Sequence, residues 1–573
     1  MGRKPEKTHR AQSRLAHWRR RRNRTASRPT AGSAASNGRR EQYRYAELPL
    51  HAWLIHLWHD YKLRHRKEFT ILRRIFIGNL QEPSTYYLSR WLFLRGLGLI
   101  YFLAFVSLWS QIDGLIGSDG ILPVKPYLEA VEASLGLSRF WRLPTLCWLS
   151  GSDAFLHVLC GGGTLLSMLL IAGICPIPVT ILLWLAYLSL LSVSRVFLGY
   201  QWDILLLEVG FLSIFLAPGQ ILPRLSRERP PSLVVIWLHR FLLFRLMLSS
   251  GLVKLTSGDP TWRGLTAMNY HYETQPIPNA FAWYVHQLPE WFQKTSVLGV
   301  FAIELIVPFF ALAPRRLRYI AFGGTLGFML LIILTGNYCF FNLLAILLCV
   351  LLVDDIFLRR ILRFSWFRRS PTAIPRLFSV QAMHFSAIAL VAVVTVPLSL
   401  MQMKSRVFRF ELSARSQKMI EWASPFRITS SYGLFASMTT SRPEIIIEGS
   451  DDGRNWQPYE FRWKAGYLKQ RPRQVAPHQP RVDWQLWFEA LRHGRDWRAR
   501  PWFRRFLQCL LEGKSDVLAL LKTNPFPDGP PKYIRAMVYD YRFTDFETRA
   551  KEGTWWRRAY SGVYIGQSSL GQR

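Results

Sequence analysis

Long apolar runs constrain this chain more than any other feature. From residue 88 onward, stretches of about 17 to 24 mainly apolar residues recur. Each is long enough to cross a hydrocarbon core of roughly 30 Å as a helix. The sequence therefore predicts a polytopic α-helical membrane protein. We place about nine transmembrane helices at 91–109, 154–174, 177–198, 201–218, 232–251, 295–313, 319–335, 338–353 and 380–401.

The positive charge is distributed differently from these runs. Of the formal net charge of +36, residues 1–46 carry +12, residues 47–401 carry +11 and residues 402–573 carry +13. Residues 1–46 contain the run RRRRNR and no apolar stretch of signal-peptide type, which predicts a disordered basic cytoplasmic tail. A nucleic-acid-binding arm is the alternative, since arginine runs neutralise phosphates. Because basic residues before a first span follow from the positive-inside rule alone, we expect no nucleic-acid partner.

The loop charges predict the orientation. Short inner loops hold about 12 Lys and Arg in about 46 residues, whereas the outer loops hold about 6 in about 90, a bias that places the N-terminus inside. An odd number of spans then puts the C-terminal part on the opposite face. Two outer loops, 110–153 and 252–294, are long enough to be structured. In the second loop we single out Trp262, Arg263, His271, Tyr272 and Gln275.

The expected location is an integral, multi-pass membrane protein. It would lie in the endoplasmic reticulum membrane if the source is eukaryotic, with the C-terminal domain in the lumen. It would lie in the inner cell membrane if the source is bacterial. The soluble domain has no Asn-x-Ser/Thr acceptor, and 58 Arg stand against 15 Lys. These two features favour a bacterial source.

Periodicity divides the rest of the chain. Residues 47–87 alternate apolar and basic groups, typical of an amphipathic juxtamembrane segment; residues 88–402 form the multi-span membrane domain. In the soluble domain, 403–573, the segment PEIIIEGSDDGRNWQPYEFRWK predicts a β-hairpin. Apolar residues at helical spacing run from Trp484 to Lys522, and a strand pattern returns in KYIRAMVYDYRF. We predict a C-terminal extramembrane β-sandwich-like domain carrying a helical insertion.

Charged residues inside the apolar runs are the first candidates for a functional site, because ionisable groups at bilayer depth are costly and face a protein interior or a cavity. Two interpretations stand side by side: interhelical ion pairs that fix packing, and a functional cavity. Glu208 has the stronger claim to function because it lies in mid-span. The predicted intramembrane polar network is Arg95, Arg195, Asp203, Glu208, Arg240, Arg245 and Glu304.

Other candidate motifs are weak. The glycines 161–163 and the pair Gly323 and Gly327 predict close helix packing. No HExxH, P-loop, GxSxG or CxxC motif is present, and the four histidines in 51–65 cover several sides of a helix without a completing ligand. We therefore predict no catalytic residue, no metal and no cofactor. The sequence also lacks the matched broken spans expected of a transporter.

Several strings, taken together and in order, resemble the lipase maturation factor family. They are SRWLFLRGLGLIYFLAF, GLIGSDGILP, GYQWDILLLEVGFLSIFLAP, FRLMLSSGLVKLTSGDPTWRGLTAMNYHYETQPIPN, VAPHQPRVDWQLWFEAL and PPKYIRAMVYDYRF. The resemblance implies a membrane-bound folding factor that helps secreted lipases assemble in active form, with the C-terminal part facing the client. The membrane part is also distantly similar to vitamin-K-dependent carboxylase membrane domains, so an intramembrane enzyme is the alternative function. The hairpin EIIIEGSDDGRNW is weakly similar to discoidin-type sandwiches.

A folding factor needs no nucleophile. It must hold a partly folded client, here a secreted lipase, through aromatic groups beside polar ones, and membrane lipid is its other expected partner. In the second interpretation the aromatic residues belong to the core of the domain and the arginines are solvated. The candidate client-binding residues are Trp484, Trp487, Phe488, Arg492, Trp502, His478 and Arg481.

Overall fold

The structure, a computed structural model, describes residues 84–223, 228–362, 378–492 and 500–571, with no side chains described for 378–384. The predicted tail at 1–46 and nearly all of the predicted amphipathic segment at 47–87 lie outside these residues. The first half of the described chain is helical. Its helices are α1 Tyr87–Trp109, α2 Ile112–Ile116, α3 Val124–Leu135, α4 Arg139–Arg142, α5 Asp153–Ala172, α6 Pro176–Val193, α7 Gln201–Leu216 and α8 Leu233–Thr256.

Helices also dominate the next part, up to the end of the membrane region. The long helix Glu290–Ala311 is continuous but contains a π-helical turn at Ala302–Ile306. The helices are α9 Pro260–Arg263, α10 Ala267–Thr274, α11 Ala280–His286, α12 Glu290–Ala311, α13 Arg315–Thr335, α14 Phe341–Val350, α15 Asp355–Ile361 and α16 Phe378–Phe408.

Seven helices among the described residues are long and apolar enough to span a membrane: α1, α5, α6, α8, α12, α13 and most of α16. The bent pair α14 and α15, which meet at 110°, would make an eighth. The remaining predicted span, 201–218, is the 16-residue helix α7, whose length of about 24 Å is short for a hydrocarbon core. A multi-pass membrane protein is confirmed, whereas the count of nine is not.

Helix ends follow local rules. The Ser152 hydroxyl accepts a hydrogen bond from the Phe155 N–H and caps α5, and the helix ends at Gly173, which has a φ of +84°. Both features satisfy backbone groups that a helix end leaves unpaired. Pro176 then begins α6, where its fixed φ is already helical. The result is a tight reversal between two apolar helices.

The C-terminal part contains a small sheet and a helical insertion. The sheet is antiparallel in the order β2-β1-β3-β4, with Ile447 opposite Ala536 and Val538 opposite Gly562. The hairpin, the insertion and the later strands were all predicted; the second sheet that a sandwich requires is not confirmed. The elements are α17 Ala414–Ala423, β1 Pro443–Ser450, β2 Gln457–Pro458, α18 Arg481–Ala490, α19 Pro501–Leu511, α20 Ser515–Leu518, β3 Tyr533–Phe543, α21 Phe546–Glu552 and β4 Trp556–Ser568.

One hydrophobic core runs from the membrane helices into the sheet. The buried face of the sheet, which includes Ile447 and Ala536, belongs to the same cluster of touching apolar side chains as Tyr101 and Leu205. Loop 110–153 also contacts the helical insertion. Gly114 lies so close to the backbone of Asp516 that there is no room there for a Cβ. The C-terminal part is therefore packed onto the membrane helices rather than tethered to them.

Candidate functional site

The contact between α7 and α18 is built around a buried ion pair. Arg481 opens α18 and donates to both oxygens of Asp203 at 2.8 and 2.9 Å, and neither side chain has any exposed surface. Asp203 also accepts from the Tyr187 hydroxyl at 2.6 Å. Burial alone would lower the pKa of Arg481, but the charge of Asp203 outweighs it and the pKa is raised. Arg481 therefore stays charged and fixes the C-terminal part to the membrane helices.

Glu208 lies one turn deeper and has its own set of partners. It pairs with Arg245 of α8 and accepts from the Tyr432 hydroxyl at 2.7 Å. Arg245 also donates to the Ser430 carbonyl oxygen at 2.5 Å. The pair of Glu208 and Arg245 is therefore contacted by Tyr432 and Ser430, two residues of the segment that leads to the sheet. The predicted pairing of charges between helices is found here.

Glu304 has a partner that the sequence reasoning did not include. It lies in the π-helical turn of α12 and accepts from the Lys254 ammonium at 2.6 and 2.9 Å. A lysine two residues before the end of α8 carries no clear sequence signal for a buried partner, although its long stem can reach back along the helix. Arg90 and Glu228, which pair at 2.5 Å, were missed in the same way.

The other predicted network arginines do not join these carboxylates. Arg240 donates to the Leu351 carbonyl oxygen at 2.8 Å. Arg95 lies over the Trp91 ring at 5.1 Å. Arg195 is exposed in a turn after α6 and lies over the Tyr127 ring at 5.0 Å. Within the predicted network, the described residues contain one arginine–carboxylate pair, Arg245 with Glu208.

The candidate client-binding residues are mostly buried. Trp484 packs edge-on against Trp202 at 5.0 Å, and Trp487 donates to the Thr274 carbonyl oxygen at 3.0 Å. Trp502, only 2% exposed, donates to Glu489 at 3.2 Å. The interpretation as a core fits these contacts, and the interpretation as an exposed client surface does not. These side chains are not exposed because they fill the junction between the membrane helices and the C-terminal part.

Three more residues of that set complete the junction. Phe488 stacks on Tyr200 at 5.9 Å, and Arg492 is half-buried at the end of α18. His478 meets the Ser107 hydroxyl at 2.9 Å. Burial, with the nearby positive charge of Arg481, lowers the pKa of His478 to about 4. At neutral pH this imidazole is therefore uncharged.

The singled-out residues of loop 252–294 form a folded cover, as expected for a structured loop. Trp262 is 1% exposed and donates to the Phe435 carbonyl oxygen at 3.0 Å. Tyr272 is buried, whereas Arg263 is exposed. Gln275 donates to the Thr335 carbonyl oxygen at 2.8 Å. The loop is therefore attached both to α13 and to the C-terminal part.

Two further contacts fix this cover. His271 lies 3.2 Å from the Tyr338 hydroxyl, and burial lowers its pKa to about 4. Arg442, fully buried at the start of β1, donates to the carbonyl oxygens of Glu273 at 2.8 Å and Pro276 at 2.9 Å. Arg442 also pairs with Glu444 at 2.7 Å, but no sequence pattern pointed to its carbonyl partners, which are far away in the chain. No group of three or more potential metal ligands occurs within the described ranges.

These observations define a multi-pass membrane protein whose C-terminal sheet domain is fixed to the membrane helices by the buried pair of Arg481 and Asp203 and by hydrogen bonds. Comparison with known families is more specific. The lipase maturation factor transmembrane domain matches residues 88–360, and the lipase maturation factor C-terminal domain matches residues 428–566. The chain belongs to the lipase maturation factor family.

Curated relatives agree over most of the chain. Lipase maturation factor 2 of Gallus gallus is 37% identical, covering 84% of this chain and 81% of the relative. Lipase maturation factor 2 of Homo sapiens is 34% identical, with 84% and 83% covered. Lipase maturation factor 1 of Mus musculus is 35% identical, with 84% and 88% covered. These relatives are animal proteins and give no support to a bacterial source; no solved structure matches the chain.

Proposed function

We propose that this protein is a membrane-bound maturation factor that assists the folding and assembly of secreted lipases. The observation that carries the proposal is the similarity to lipase maturation factors 1 and 2, which covers 84% of this chain and includes both the membrane and the C-terminal parts. The intramembrane-enzyme alternative has no support from the comparisons. We place the protein in the endoplasmic reticulum membrane, where secreted clients fold.

The proposed role is non-catalytic. Glu208, the residue of the predicted network with the strongest claim to function, has its carboxylate engaged by Arg245 and Tyr432. Asp203 is engaged by Arg481, Tyr187 and the Tyr200 N–H. A general acid or base needs an open position toward a substrate. These contacts support a structural role for the network, which holds the C-terminal domain in a fixed place.

We propose nine crossings for the same chain. α7 begins where Asp203 meets the C-terminal part, and the segment after it returns to α6 through a hydrogen bond between the Cys175 N–H and the Ile221 carbonyl oxygen. α14 begins beside Pro477, and the turn after it meets the start of α1 through Asp355 and Thr85. Counting α7 and the bent pair keeps both outer loops on the face where they contact the C-terminal part.

We place client contact on the exposed face of the sheet. Tyr560 and Val563 of the edge strand β4 are 59% and 52% exposed. Beside them Arg558 lies over the Tyr539 ring at 4.5 Å. Aromatic groups with arginine are the composition that interface hot spots favour. From the sequence, such a combination of aromatic and arginine side chains was predicted on α18. On β4 the same combination is exposed, so a client can reach it.

The experiment uses mammalian cells that lack their own lipase maturation factors and express a secreted lipase. Restored secretion of active lipase on adding this chain is expected, and no restoration at equal protein level would overturn the proposed function. Tyr560→Ala with Val563→Ser should then lower lipase activity without lowering the amount of the factor. Tyr467→Ala is the matched control, because Tyr467 is 58% exposed elsewhere in the same domain. An equal loss in both variants would contradict the placement of the client surface.

A further inference from the structure

A cavity of about 680 Å³ lies under the cover formed by loop 252–294. Its walls come from α8, α12 and α13, and its roof comes from α10, α11 and the segment that contains Phe435. Most of the lining is apolar, for example Phe292, Ile303, Phe328 and Leu331. The volume falls within the range of about 300 to 1,000 Å³ that is typical of ligand pockets. None of the residues proposed for client contact lines it.

The wall between α12 and α13 is open beside three glycines, although the two helices touch at Gly324, where an added Cβ would lie 3.3 Å from Ile303. A Cβ placed on Gly299, Gly323 or Gly327 would have no heavy atom within 4 Å. The prediction that Gly323 and Gly327 allow close helix packing was therefore wrong: they leave space instead of filling it. α13 is also the least buried of the seven long helices, with 17% of its most apolar stretch covered by protein. In a membrane, lipid is the molecule at this opening.

The two oppositely charged side chains of the cavity are in contact with each other. Lys254 and Glu304 line it and neutralise each other, and the Lys254 ammonium also donates to the Ser250 carbonyl oxygen at 3.2 Å. His271 lines the roof with a pKa lowered to about 4 by burial. Of the described residues that line the cavity, no other is charged at neutral pH. A phosphate would find no cation that is free of a carboxylate.

We propose that this cavity binds one uncharged membrane lipid of the glyceride type. Its apolar chain enters between α12 and α13 through the gap left by the glycines. Its hydroxyl and ester groups lie near Lys254, Glu304 and Ser250. There they can form hydrogen bonds without bringing another charge into the cavity. A phospholipid is disfavoured because its phosphate would be desolvated beside Glu304. The inference does not depend on the identity of the client.

The test reconstitutes the full chain in phosphatidylcholine vesicles that contain a photoactivatable, clickable diacylglycerol. We expect labelling to map to α12 or α13, and to fall to background in Gly327→Phe, which fills the cavity. Gly162→Phe is the matched control, since Gly162 also lies on a long helix with no heavy atom within 4 Å of an added Cβ. No labelling of the wild-type chain, or an equal loss in both variants, would overturn the site.

The headgroup preference is tested in the same vesicles. A photoactivatable phosphatidylcholine should label the cavity far less than the diacylglycerol does, and equal labelling would overturn the preference for an uncharged lipid. Glu304→Gln leaves the Lys254 charge without its carboxylate. Provided that the variant elutes as a folded protein on size-exclusion chromatography, labelling by a phosphatidic acid probe should rise. Lipase secretion is not part of the readout, so failure here is distinguishable from failure of the proposed function.

Discussion

Two carboxylates at bilayer depth, Glu208 and Glu304, are each paired with a cation on α8, yet their surroundings differ. Glu208 is enclosed, because Tyr432 and Ser430 of the C-terminal part close over its pair with Arg245. Glu304 and Lys254 border a cavity of about 680 Å³. One ion pair thus helps to fix the C-terminal part to the membrane helices, whereas the other forms part of the cavity wall. Neighbouring residues, rather than the charges, decide which role a buried pair has.

The largest expected effect comes from removing the cation that pairs with Asp203, in the contact between the membrane helices and the C-terminal part. Arg481→Met leaves that carboxylate buried without its cation, which costs about 3–5 kcal/mol in comparable sites. Thermal unfolding in detergent should show a large fall in midpoint, and the double variant with Asp203→Asn should recover part of it. Arg454→Met is the control, because Arg454 is exposed. An unchanged midpoint for Arg481→Met would mean that this pair does not fix the C-terminal part.

A smaller effect is expected from Tyr432→Phe, which removes the hydroxyl that donates to Glu208 at 2.7 Å. A hydrogen bond to a charged group contributes about 1.5–3 kcal/mol, so the unfolding midpoint should fall. Tyr467→Phe, at an exposed tyrosine, should leave it unchanged. Loss of lipase secretion by Tyr432→Phe with no loss of stability would contradict the structural role and favour a chemical one.

Adjacent glycines on α5 test packing directly. A Cβ on Gly163 would overlap the Phe105 ring, whereas one on Gly162 has no heavy atom within 4 Å. Gly163→Leu should lower the free energy of unfolding by about 1–3 kcal/mol relative to Gly162→Leu, since overpacking strains a filled core. Helix propensity changes equally in both variants and cancels. Equal stability of the two would show that α1 and α5 are not closely packed at Gly163.

The smallest effect at neutral pH comes from His478, whose contribution to stability changes only under acidic conditions. Its pKa is lowered to about 4 in the folded protein, against about 6.5 in an unfolded chain. Between these values the unfolded chain binds the extra proton, so the full stability is present above pH 6.5 and the free energy of unfolding falls by about 3 kcal/mol as the pH drops to 4. In His478→Asn, the midpoint of thermal unfolding should depend less on pH in this range than it does in the wild-type chain. Parallel curves would contradict burial of this imidazole at the junction.

The sequence predicted most elements, because apolar length and strand alternation are local signals. Ion pairs between spans were one of two interpretations of the charges at bilayer depth, and the pair of Glu208 with Arg245 fits that interpretation without having been predicted as a pair. The sequence could not predict that Arg481 reaches Asp203 from 278 residues away along the chain. The aromatic side chains of α18 were open to two interpretations, because a buried tryptophan and an interface tryptophan have the same letter. Gly323 and Gly327 failed for a related reason: the spacing shows that two glycines share a face, but not what lies opposite.

A cryo-electron microscopy structure of the full chain in lipid nanodiscs tests the central contrast most directly. We expect continuous protein density around Glu208, Arg245 and Tyr432. We also expect an elongated lipid-like density between α12 and α13 that ends near Lys254 and Glu304. A structure in which α13 closes against α12 at Gly323 and Gly327, with no space beside Glu304, would contradict this expectation.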